Sequence, residues 1–292
     1  MGMRIFTRLS LIVVPLCLTV SCGVASGSGP VVLEPVPGWT APAEPTGAQP
    51  TGAGSRPGSI DPEAVRRAAV DAEPDTVLGA VVVDRVTGTL PLAIDSDRQF
   101  RSASLVKLLI AIDAVERDAD EQDRERLATM LTLSDDMLAS AFWMSGGGPD
   151  IVRRTSAAIG LTGTEPPDDP GRWGETLLTP ADVARVYDHV LRLPAADRDL
   201  IVDALARTPR VAADGFDQHF GIPDGLASPW AVKQGWGNND TTEVLHSTGL
   251  AGPQWRYIVV LLTEHPRAAR WSDSARAVTS AAAALHGHLP GI

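Results

Sequence analysis

Ser104 and Lys107 stand three residues apart in the run Phe100 to Glu116. In a helix starting near Ala103, that spacing puts a hydroxyl and an amine on one face, one turn apart. A serine nucleophile served by a lysine base needs such an arrangement. A Ser three residues before a Lys is common by chance, so the composition has to add to it. The chain has 25 basic residues, and only Lys107 and Lys233 are lysines. All the others are Arg, which cannot release a proton near neutral pH, so the positions that keep an amine are candidates for proton transfer. The plainer alternative is that two residual lysines have no special role, and their surroundings decide between the readings.

The elements around these residues can be read from pattern. After Lys107 the segment Leu108, Leu109, Ile110, Ala111, Ile112, Ala114, Val115 is apolar on nearly every side, which describes a helix buried in a domain centre. Upstream, Ser59 or Asp61 can cap a helix opened by Pro62, and the β-branched run from Val77 to Asp84, with Leu90 to Ile94, reads as a hairpin. Ser134-Asp135-Asp136 falls between a helix over 124–131 and another over 137–144, which glycines 146–148 and Pro149 end. Helix 151–159 stops at Gly160. Residues 161–178 are rich in Pro and Asp without a period, a loop long enough to be functional by length. Thr179 caps and Pro180 opens the next helix, and Leu200 to Ala206 lies beside it. Strands over 230–236, 243–247 and 256–263 follow, then an Ala-rich helix over 272–285. Strands at both ends with helices between them predict an α+β fold, with one antiparallel sheet built from distant segments and packed on a helical block.

A net charge of −11 argues against nucleic acid and anionic lipid as partners. At the N-terminus, Arg4, Arg8 and the apolar run Leu9 to Val20 read as an export signal, residues 1–21. Small residues before Cys22 resemble a bacterial lipobox, with Thr19 where Leu is more usual. Cleavage there would leave Cys22 to carry lipid, whereas a plain secretory signal would leave the protein secreted. The other cysteine, Cys17, lies inside the signal, so the mature chain has neither a disulfide nor a cysteine metal site. Residues 22–58, mostly Gly, Ser, Pro, Ala and Thr, read as a tether, and 59–292 as the folded domain. The expectation is a monomeric cell-surface lipoprotein on the outer face of the cytoplasmic membrane, touching membrane only through its anchor.

Ser104-Leu105-Val106-Lys107, Ser134-Asp135-Asp136 and Lys233-Gln234-Gly235 resemble the SxxK, SDN and KTG elements of class A β-lactamases and penicillin-binding proteins, in order and in setting. Gly147-Gly148-Pro149, Thr179-Pro180 and Pro229-Trp230 fit the same family, and the similarity spans residues 60–290. The resemblance implies that Ser104 is acylated by a β-lactam or a D-alanyl-peptide-like amide of peptidoglycan origin, with Lys107 as base. It implies that the backbone N–H groups of Ser104 and Trp236 form the oxyanion hole. Ser134 would relay a proton to the leaving nitrogen, while Lys233 would hold Ser134 and attract a substrate carboxylate. Helix capping is the other reading of Ser134. No metal or cofactor is implied.

The sequence departs from the family in four places. Gln234 replaces a hydroxyl residue, so the donor expected to meet the substrate carboxylate becomes a longer one. Asp136 replaces an amide, and its charge should favour the protonated form of Lys107. The segment between Ser104 and Ser134 is short, implying missing helices and a more open cleft. Deacylation in class A enzymes uses a Glu followed by Pro; Glu165-Pro166 lies in the corresponding loop, with Glu175 as a second candidate. A relative that binds a cell-wall ligand without turnover is therefore the alternative function. An unrelated esterase or metallohydrolase finds less support: the folded part has no GxSxG, and its histidines show no ligand spacing beyond His286-x-His288.

Overall fold

The computed structural model describes residues 59–292; the expected signal, tether and Cys22 lie outside the described residues. Helix α1 (Pro62–Ala72) is capped by Asp61, whose carboxylate accepts the Glu63 N–H. Strands β1 (Val77–Asp84) and β2 (Thr89–Ile94) pair antiparallel as the expected hairpin. The two-residue strand β3 (Phe100–Arg101) leads through a 3-10 turn, Ala103–Leu105, into α2 (Val106–Glu116). Then come α3 (Glu121–Leu133), α4 (Asp136–Ser145) and α5 (Pro149–Ile159). After the loop, β4 (Leu177–Leu178) pairs with β3 and precedes α6 (Pro180–Arg192), α7 (Ala195–Ala206) and the single turn α8 (Ile222–Gly225). Strands β5 (Trp230–Asn238), β6 (Thr242–Ala251) and β7 (Tyr257–Pro266) form a meander, and α9 (Trp271–Ala283) follows.

The sheet order is β2-β1-β7-β6-β5, so the N-terminal hairpin joins the C-terminal meander along β1 and β7. This is the antiparallel sheet expected from the sequence. Its helical block, α2 to α7, covers one face: Val81, Val83, Ile258 and Val260 share a core with Leu108, Leu109 and Ile112 of α2. The other face is covered too. Val65 and Ala69 of α1 and Ala277, Val278 and Ala281 of α9 pack on Val82, Val259 and Leu261. That layer explains why β1 and β7 are apolar at successive positions rather than alternating, since strands buried on both faces have no polar side to show.

Two differences from the sequence reading bear on the site. Helix α3 begins at Glu121, three residues before the expected start, because Asp120 caps it by accepting the Asp123 N–H. The segment expected to begin a helix at Ala103 starts instead with the 3-10 turn, and Ala103 adopts φ 43°. A non-glycine residue in the left-handed region stores strain, here immediately before Ser104.

Candidate active site

The turn Ala103–Leu105 presents Ser104 at the floor of a cleft of ≈ 230 Å³, with α2 running back into the core behind it. Lys107 follows one turn later with a fully buried side chain. Its Nζ is 2.9 Å from Ser104 Oγ, 2.7 Å from the Ser134 carbonyl oxygen, 3.2 Å from Ser134 Oγ and 2.5 Å from Asp136 Oδ1. Lys233 Nζ, reaching from β5, donates to Ser134 Oγ at 2.9 Å and to the Gln234 carbonyl at 2.9 Å. Ser134 Oγ therefore sits between the only two lysines of the chain.

Burial pushes the Lys107 amine below the ordinary lysine range, and the Asp136 carboxylate pulls it partly back. Lys233 is pushed well below that range, first by burial and then by repulsion from Lys107. One contacting carboxylate serves two buried amines, so the site favours leaving one of them neutral. Both forms of Lys107 fit the geometry. An ammonium would donate to Ser134 O, Asp136 and Ser104 Oγ; a neutral amine would keep the first two and offer its lone pair to the Ser104 hydroxyl.

The local fold frees Ser134 for this position. Its backbone closes α3 in the left-handed conformation, φ 54°, with its N–H bonded to the Met130 carbonyl. Capping of α4 falls to Asp135, whose carboxylate accepts the Leu138 N–H at 2.9 Å. The capping alternative thus applies to Asp135, and the Ser134 hydroxyl is left to the lysines. Asp136, the first residue of α4, lines the cleft with a side chain 63% exposed.

On β5 the alternation of side chains separates neighbours. Lys233 points to Ser134, whereas Gln234 is fully buried and donates its Nε2 to the carbonyls of Gln218 and Phe220, at 3.1 and 2.7 Å. The expectation that Gln234 meets a substrate carboxylate is corrected: its amide is turned away from the cleft and held there. Gly235 permits a close approach, because a Cβ there would lie 3.0 Å from Ser102 O and 3.3 Å from the Leu105 side chain. The strand is thereby pressed against the turn that carries Ser104. Trp236 lines the cleft beside Ser104, stacks on Phe216 with ring centroids 4.8 Å apart, and donates its indole N–H to Asp214 at 2.9 Å.

The loop after α5 closes the opposite wall. Glu165 is exposed, is absent from the cleft lining, and accepts from Gln99 Nε2 at 2.9 Å; its backbone pairs with Leu177. That correction follows from the backbone pairing of Glu165 with Leu177 of β4, which holds Glu165 outside the cleft lining. Glu175 does line the cleft, yet its carboxylate is engaged by Arg101 at 3.3 Å and Arg172 at 3.2 Å. Facing Lys107 from the loop is an aromatic ring: Trp173 has its centroid 5.1 Å from Lys107 Nζ and donates to Ser140 Oγ at 3.2 Å. Pattern reasoning missed Arg101, Trp173 and Asp214. The signal available for Trp173 was a tryptophan between Gly171 and Gly174 in an otherwise polar loop.

No family model matches the chain. Over 218 residues it is 38% identical to the protein of Mycobacterium tuberculosis H37Rv named "Putative lipoprotein LppW", covering 70% of this chain and 69% of that one. Among solved structures, a β-lactamase from Sphaerobacter thermophilus superposes with TM-score 0.61 at 20% identity, over 80% of this chain and 100% of its own. PBP-A gives 0.60 at 17% identity over 78% and 97%, and the β-lactamase of Streptomyces albus G gives 0.58 at 22% over 76% and 97%. At such identities these likenesses show the fold. Among the described residues, no helix is long and apolar enough to cross a membrane. The chain belongs to the family of LppW, a divergent branch with the fold of class A β-lactamases and penicillin-binding proteins.

Proposed function

We propose that the protein is a serine acyl-transfer enzyme in which a β-lactam or a D-alanyl-peptide-like amide acylates Ser104. One observation carries the reading: Ser104 Oγ, Lys107 Nζ, Ser134 Oγ and Lys233 Nζ form an unbroken, buried chain of contacts at 2.9, 3.2 and 2.9 Å. As Ser104 Oγ attacks the carbonyl carbon, its proton passes to the neutral amine of Lys107. The C–N bond then breaks, and Ser134 gives its proton to the leaving nitrogen while being reprotonated from the lysine side. The backbone N–H groups of Ser104 and Trp236 would receive the developing oxyanion. Lys233 and Gly235 support the site, the first by holding Ser134 and the second by letting β5 approach. A mutant PBP-A, of the same fold as this chain, is described as an acyl-enzyme complex with penicillin G. Incubation with a fluorescent penicillin is the test. A covalent adduct on the parent that is lost in Ser104→Ala is expected, and a parent that is neither labelled nor hydrolyses the penicillin overturns the reading. Export and lipid attachment at Cys22 are part of the same proposal, supported by the relative's name, with membrane fractionation of the full chain as their test.

Binding without turnover is favoured by one specific observation, the 2.5 Å contact of Asp136 with Lys107, which stabilises the proton that the base must release. The two readings separate on pH. Acylation should rise with pH as the Lys107 amine loses its proton, at a pH below the ordinary lysine range. Asp136 raises that pKa, so Asp136→Asn should lower it and move the acid limb to lower pH, giving faster labelling at neutral pH. A pH–rate profile unchanged in Asp136→Asn would mean that this carboxylate does not govern the base.

A further inference from the structure

We infer that Trp173 excludes water from the Ser104 acyl group and so determines that the acylated protein persists instead of hydrolysing. The inference rests on the acylation proposed above.

Hydrolysis would require a water oxygen to bond the acyl carbon, the Ser104 Oγ–C bond to break, and one water proton to be taken up by a base. Such a water has to be held by several polar partners next to the ester. On the loop wall the position facing Lys107 is filled by the Trp173 ring, 5.1 Å from Nζ, and an indole face offers no acceptor to hold or activate a water. The loop carboxylates do not substitute for it. Glu165 is tied to Gln99 outside the cleft lining, and Glu175 Oε1 is already engaged by the guanidinium groups of Arg101 and Arg172. Asp136 is in contact with Lys107.

The ring is also held in place. Its indole N–H bonds Ser140 Oγ, and the loop is fastened on both sides of it. Trp143 Nε1 donates to Pro170 O at 2.8 Å before it, and the Ser102 N–H donates to Thr176 O at 2.7 Å after it. Ser102 Oγ adds a bond to Gly174 O at 3.3 Å, so the loop is fixed directly to Ser102, two residues before Ser104. A loop fastened in this way keeps the roof closed during the life of the adduct.

The test follows the penicillin adduct of the full-length protein by intact mass spectrometry after excess label is removed. The parent should keep its adduct. Trp173→Ala should release it at least about tenfold faster, a change of about 1.4 kcal/mol in barrier, because water then reaches the Lys107 amine. The rate of acylation should change far less, a split that general unfolding would not give. Trp173→Phe, which keeps an apolar ring, should retain the adduct. Ser140→Ala, which frees the indole without removing it, should accelerate release and serves if Trp173→Ala does not fold. Equal lifetimes in the parent, Trp173→Ala and Ser140→Ala, with an adduct present in each, overturn the role of Trp173 and leave the acylation reading standing. Rapid turnover by the parent overturns it as well. Absence of both an adduct and penicillin hydrolysis overturns the acylation reading and this inference with it.

Discussion

Replacing Lys107 by Met should lower the rate of penicillin acylation by about 10²–10⁴, the usual contribution of a positioned general base, while leaving the fold intact. Met matches the length of the Lys stem and carries no amine, so it separates proton transfer from packing. Removing one partner of a buried ion pair normally destabilises because the other charge is left without water or counterion. Here the Asp136 side chain is 63% exposed and can rehydrate, and Ser134 Oγ keeps its bond from Lys233. The real loss is the donor to the Ser134 carbonyl, about 1–3 kcal/mol, offset by relief from burying an amine. Melting within a few degrees of the parent, together with near-complete loss of labelling, is the expected pair of results. Labelling that survives in Lys107→Met would show that Ser104 is activated by another group, with Lys233 acting through Ser134 as the next candidate. Lys107→Arg should be no better than Met, because a guanidinium stays protonated at any pH the fold tolerates.

Much of this site could be read from the chain before the fold was known. Lys107 and Lys233 are the only lysines among many arginines, and both proved to converge on one serine hydroxyl. The sheet was legible because β1 and β7 are runs of Val, Ile and Leu too short for helices. What the sequence hid were directions. Gln234 and Lys233 are adjacent, yet a strand sends them to opposite faces, and a one-dimensional motif does not say which face is the cleft. Glu165 and Glu175 lie in the same aperiodic loop, and only the pairing of β3 with β4 decides which reaches the cleft. The strain at Ala103 was invisible for a related reason: nothing in an alanine marks a left-handed backbone imposed by its neighbours.

The pairing that fixes this loop should also make the protein acid-sensitive through His246. The imidazole is fully buried on β6. Its Nε2–H donates to the Arg101 carbonyl at 2.7 Å, and its Nδ1 accepts the Thr263 N–H at 3.2 Å. Only the neutral ring satisfies both, since a proton on Nδ1 would face the Thr263 N–H. Burial, with the nearby Arg101 and His265 adding to it, lowers its pKa to about 4 from a usual 6.5. A base whose pKa is depressed by folding binds its proton more readily when unfolded. Its contribution is therefore complete above pH 6.5 and is lost as the pH falls towards 4, on the order of 3 kcal/mol in all. His246→Gln can keep both bonds, donating its amide N–H to Arg101 and accepting Thr263 on its carbonyl, and it does not titrate. Denaturant melts at pH 7 and pH 4.5 should show a smaller loss of stability in the Gln variant than in the parent. Equal losses would place the acid sensitivity elsewhere. Arg101 also holds Glu175, and its neighbour Ser102 holds Thr176, so protonation of His246 loosens the anchor of the loop that carries Trp173. Between pH 7 and pH 4.5 the parent's penicillin adduct should accordingly become shorter-lived, while that of His246→Gln changes less.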